Sequence, residues 1–233
     1  MKKQIWTGLA TGFLMLGVTG LSQATSLIIT GVIDGPLTGG KPKAVELYVR
    51  NDISDLSIYS LGFANNGGGS AGIEFTFSDI SASSGDFLYV ASETAEFTNF
   101  FNFSPDYITS TANINGDDAV ELFRNGTVVD IFGNINVDGT GQPWEYLDGW
   151  AYRNDATGGT DTSTFMMSDW HFSGPNALDG DTANFTADYP FPAGSFSLDS
   201  PPQPVPTPEP ATIFLFGSGV ACLVSKRLRL WCM

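Results

Sequence analysis

Between residues 26 and 172, apolar and polar positions alternate in short runs, and clusters of Gly, Asn, Asp and Ser separate the runs. A period of two puts every second side chain on one face, the pattern of strands with one face toward a core. Leu27-Ile28-Ile29-Thr30-Gly31-Val32-Ile33 predicts a first strand and Ala44-Val45-Glu46-Leu47-Tyr48-Val49-Arg50 a second. Runs at 59–63, 73–77 and 87–91 continue the series, with Asn65-Asn66-Gly67-Gly68-Gly69 and residues 81–85 as breaks. Residues 119–124 and 127–132 flank Asn125-Gly126, and Asn-Gly between β-rich runs predicts a tight hairpin because both residues tolerate positive φ. The one helical candidate of note is 93–101. Many short strands with closely spaced turns predict an all-β sandwich or barrel.

The ends follow other patterns. Lys2 and Lys3 precede an apolar run over 5–18, then Leu21-Ser22-Gln23-Ala24, with small residues placed for a cut between Ala24 and Thr25. This is the layout of a secretory signal helix read by signal peptidase. Near the other end, Pro201 to Pro210 is too rich in proline for a helix or a central strand and predicts an extended spacer. An uncharged stretch over 211–225 follows, then the basic residues Lys226, Arg227 and Arg229. As a transmembrane helix it would span roughly 22 Å at 1.5 Å per residue, short of a core of about 30 Å. The basic cluster would stop transfer on the cytoplasmic side, leaving everything between the ends outside. The expected partition is a signal peptide over 1–24, a β-sandwich domain over 25–180, a Pro-rich polar linker over 181–207, and a sorting and anchor segment over 208–233.

Pro208-Glu209-Pro210, the apolar stretch and the basic cluster, in that order, resemble the PEP-CTERM sorting signal of diderm bacteria. The resemblance implies an exosortase-like sorting enzyme as partner, an inner-membrane intermediate held through the C-terminal helix, and delivery to the cell surface or beyond. The middle of the chain resembles the lamin tail domain, an immunoglobulin-like β-sandwich. The carriers are residues 27–35, Lys43-Ala44-Val45-Glu46-Leu47-Tyr48, Asp55-Leu56-Ser57-Ile58-Tyr59-Ser60-Leu61 and Asn115-Gly116-Asp117-Asp118-Ala119-Val120-Glu121-Leu122. Val129-Asp130 to Gly133, Trp144, Arg153 and Asp169-Trp170 continue in order. Trp150-Ala151-Tyr152-Arg153 departs from the basic strand usual in bacterial members, so that strand's contribution does not carry over. The family is functionally diverse, and the fold it implies does not deliver a function.

Charge narrows the partners. The formal net charge is −15, and five of the ten basic residues lie in the two ends. The few that remain cannot build a phosphate-binding patch, which argues against nucleic acid as a partner. Both cysteines, Cys222 and Cys232, are in the tail, so the domain has no disulfide and relies on a core fed by 18 Phe, 7 Tyr and 5 Trp. His171 is the single histidine, which excludes a multi-histidine zinc site.

Three constellations could carry chemistry. Asn134, Asn136, Asp138, Gly139 and Glu145 nearly fit a calcium loop, but Asn134 puts a neutral group at the first ligand position and the flanks are strands. We read it as a polar loop, with calcium as the alternative. Asp117 and Asp118 could act as an acid/base or cation pair; a strand-entry turn with carboxylates bonding backbone amides is the preferred reading. Asp169 and His171 sit near Ser168 and Ser173 without a nucleophile-elbow motif, so an edge strand packing Trp170 is expected there. Trp144, Trp150 and Tyr152 are assigned to the core rather than to sugar stacking.

No catalytic residue or resident cofactor is assigned. The sequence reads as a non-enzymatic, exported surface or matrix module that interacts with an extracellular polysaccharide or a surface protein. The alternatives are a divalent-metal-dependent extracellular hydrolase built on the acidic loops, or a calcium-stabilised structural domain.

Overall fold

The computed structural model describes residues 25–159 and 164–199. The signal helix over 1–24, the sorting motif and the anchor lie outside the described residues. Among the described residues no helix is long and apolar enough to cross a membrane.

The chain is mostly β-sheet, in a two-sheet, sandwich-like arrangement. Strands β1 (Leu27–Leu37), β2 (Lys41–Val49), β5 (Phe87–Ala91), β6 (Tyr107–Ile108), β9 (Gly149–Arg153) and β10 (Trp170–Phe172) form a six-stranded sheet in the order β10-β9-β1-β2-β5-β6. Strands β3 (Tyr59–Ala64), β4 (Phe75–Thr76), β7 (Ala119–Arg124) and β8 (Thr127–Phe132) form a four-stranded sheet in the order β4-β3-β7-β8. Every pairing is antiparallel except β5 with β6. The β7–β8 hairpin turns at Asn125 (φ 50°) and Gly126 (φ 78°), the left-handed pair that its Asn-Gly sequence predicts.

Alternation decides what each face buries. Leu27, Ile29, Val45, Leu47, Val49 and Ala151 of the larger sheet meet Tyr59, Leu61, Phe63, Val120, Leu122 and Phe132 of the smaller in one core. The opposite face of the larger sheet is also covered. Ile28, Ile33, Ala44, Trp150 and Tyr152 pack under helix α1 (Ala95–Phe101) and a C-terminal strap carrying Leu178, Phe191 and Phe196. Burial on both faces is why β1 reads as a near-continuous apolar run rather than a clean alternation.

Three predicted boundaries shift. The run at 73–77 pairs only over Phe75–Thr76, because Ile73 turns to solvent. The helix starts at Ala95 rather than 93: the Glu93 carboxylate accepts from the Glu96 and Phe97 amides, so Glu93 serves as a cap. The stretch read as linker stays on the domain through Phe196, since two phenylalanines in an otherwise polar sequence anchor it to the sheet. Asn184 fixes its bend, donating to Phe191 O at 2.9 Å and accepting from Phe191 N at 2.7 Å.

Candidate functional site

The outer face of the four-stranded sheet carries an open groove of about 380 Å³. Glu121 of β7 and Ile131 of β8 lie on its floor; Gly133, Asn134, Ile135 and Asn136 form one wall, and Thr164 and Phe165 another. Glu121 faces away from the core because its neighbours Val120 and Leu122 face into it. Its carboxylate accepts from Ser70 Oγ at 2.5 Å. The wall loop is held by a Gly69 N to Ile135 O bond of 2.8 Å and by the turn in which Asn134 Oδ1 accepts from Asn136 N. Phe165 packs its inner edge against Phe132, Trp144 and Trp170. The groove therefore combines two exposed amide side chains and an aromatic edge over a floor whose buried carboxylate is bonded to Ser70.

The residues of the calcium-loop template occupy one loop, but their oxygens are directed to the backbone. Asn134 Oδ1 takes the Asn136 amide, Asp138 Oδ1 the Thr140 amide at 2.9 Å, and Glu145 Oε2 the Gly141 amide at 2.8 Å. The Thr140 amide bonded to it, with the Thr140 hydroxyl close by, holds the Asp138 carboxyl below its usual range. Among the described residues no group of three or more His, Cys, Asp or Glu is placed to hold a metal ion.

Asp117 and Asp118 stitch loops together. Asp118 accepts from the amides of Asn66 at 2.7 Å and Asn115 at 3.1 Å, joining the turn after β3 to the entry of β7. Burial lifts the Asp118 carboxyl to about 6, with the neighbouring Asp117 charge adding to the rise and the two amides opposing it. Asp117 accepts from Thr140 Oγ1 at 3.0 Å, and its carbonyl accepts from Gly139 N.

The histidine constellation does not assemble. His171 is exposed and its ring lies 5.6 Å from that of Trp150, while Ser173 Oγ accepts from Trp150 N. Ser168 Oγ donates to Asp169 itself rather than to a base. Trp144, Trp150 and Tyr152 are all buried.

Buried polar clusters also escaped the sequence reading. Arg153 Nη2 bonds both oxygens of Asp130 at 2.8 Å, its Nε donates to Ile29 O, and its guanidinium lies 4.5 Å from the Trp170 ring centroid. Ile29 N also donates to Asp130, so this cluster pins the two sheets where β8 meets β1. On the other face of the larger sheet, Glu46 accepts from Thr30, Tyr89, Tyr152 and the Gly194 amide. Desolvation raises the Glu46 carboxyl despite those four donors. Cross-strand parity could have signalled Glu46, a carboxylate on a strand whose both faces prove covered.

Thr25, the residue expected to follow the signal cut, is fully buried. Its amide donates to Gly159 O at 3.2 Å and its hydroxyl to Leu27 O at 3.0 Å.

Comparison with known families matches the C-terminal end of the chain. Residues 206–229 match the family model described as the PEP-CTERM protein-sorting motif. The chain carries a PEP-CTERM sorting signal. The motif implies exosortase-dependent passage across the membrane and export to the cell surface or extracellular space. The lamin tail resemblance of the domain has no matching family model beside it. No curated protein and no solved structure matches the chain.

Proposed function

We propose that the exported domain is a non-enzymatic, immunoglobulin-like module of the lamin-tail type that binds an extracellular polysaccharide in the groove over β7 and β8. The observation that supports this is the groove's composition. Asn134 and Asn136 offer exposed amides suited to sugar hydroxyls, and Phe165 offers an apolar edge to the C–H face of a sugar ring. Sorting to the cell surface brings the domain to such polymers. With a net charge of −15, the ligand is a neutral or amino-bearing glycan rather than an anionic one.

The test is calorimetric titration of the exported protein with neutral, amino-sugar and uronic-acid oligosaccharides. Binding of the first or second class should weaken by about tenfold or more in Phe165→Ala and Asn136→Ala, a loss of about 1.4 kcal/mol or more. Unchanged affinity in both variants would remove the groove from the reading. Release of reducing ends in the same mixtures would replace binding by hydrolysis.

A further inference from the structure

Asp34 and Lys43 stand opposite each other in the β1–β2 register. They share the strand faces of Val32 and Val45, which belong to the core between the sheets, so both side chains enter the sandwich at its end. Lys43 Nζ lies 2.7 Å from Asp34 Oδ1, and a second bond of 2.6 Å to Ile114 O fixes its position. The two side chains are 8% and 2% exposed. Asp148, at a φ of 41°, stands against the pair: its backbone faces the Asp34 carboxyl, and its own carboxyl lies in the field of Lys43.

An ammonium and a carboxylate are expensive to hold together away from water. Burial lifts the Asp34 carboxyl to about 6, toward the protonated form whose carbon an amine can attack. A lysine nitrogen held in contact with a carboxyl, both buried, is the reactant pair of amide formation. Held geometry of this kind is worth effective concentrations of roughly 10⁵–10⁸ M.

We propose that Asp34 and Lys43 are joined by an intramolecular amide bond that forms in the folded domain without an external enzyme. Lys43 Nζ attacks Cγ of Asp34, the N–C bond forms, and the C–OH bond breaks. The nitrogen loses two protons: one passes directly to the Asp34 oxygen it already contacts, the other goes through Asp148 to the same oxygen, which leaves as water, and no electrons are exchanged. The product clamps β1 to β2 covalently in a domain that has no cysteine for a disulfide.

Mass spectrometry of tryptic digests of the exported protein tests this. Trypsin cannot cut after an acylated lysine, so the wild type should lack the peptide that ends at Lys43. In its place should appear one running through to Arg50, lighter than its sequence by one water. Lys43→Arg keeps the charge pair and removes the nucleophile, and should show its full sequence mass. Asp34→Asn should lose ammonia instead and give a peptide identical in mass to the wild-type product. Asp148→Asn should leave Asp34 and Lys43 unjoined, and condensation at the wild-type rate in that variant would overturn the proton route. Wild type and Asp34→Asn each found at full sequence mass, with cleavage after Lys43, would overturn the bond.

Discussion

At the scale of single residues, the domain places charge in its interior and satisfies it locally. Arg153 and Asp130 bind each other through two bonds and take Ile29 N and O as well. Removing one member leaves an unpaired buried charge, so Arg153→Met should cost about 3–5 kcal/mol in urea unfolding. Replacing both, with Asp130→Leu added, should recover a large part of that loss, because no orphaned charge remains. Asp118 behaves in the opposite way to a surface carboxylate. Its folded-state value of about 6 lies above the usual 3.8, so between those values the native state keeps a proton that the unfolded chain has released. Stability then falls as pH rises through that window and levels off above it. The melting temperature should therefore be higher near pH 5 than at pH 7.5, and Asp118→Asn should flatten the slope.

Among the elements, what could be read in advance was local. The β7–β8 hairpin and β5 match their predicted limits because their cues, Asn125-Gly126 and a short apolar run between turns, act over a few residues. The strap could not be read that way. Residues 181–196 have a linker's composition, and only tertiary packing reveals that Phe191 and Phe196 cover the outer face of the larger sheet. Gly31 shows how closely: a methyl there would come within 2.4 Å of the Phe191 ring. The groove was hidden for the same reason, since Glu121 and Phe165 are far apart in sequence and gain meaning only from the sheet that joins them. The strap also closes the Glu46 cluster, with Gly194 N on the carboxylate and the amides of Ser195 and Phe196 on Tyr152 Oη. Phe191→Ala should destabilise the domain by about 3–5 kcal/mol. At about 2–4 °C per kcal/mol for a domain of this size, the melting temperature should drop by about 10 °C. A drop near zero would mean that the strap is an accessory to the fold.

For the whole molecule, the strongest conclusion concerns its route rather than its ligand. The sorting motif over 206–229 follows a domain whose described chain stays packed through Phe196, so few residues separate the folded body from the signal. Under the sorting account Glu209 is a recognition residue, whereas an ordinary anchor would depend on the apolar stretch behind it. Glu209→Ala leaves that stretch intact and separates the two. The decisive measurement is a blot of inner-membrane and external fractions for an epitope fused after Met233, in wild type and in Glu209→Ala. Sorting predicts that wild-type protein outside the inner membrane has lost the epitope, while the variant accumulates in the inner membrane with the epitope attached. Equal retention of the epitope in both proteins would contradict it.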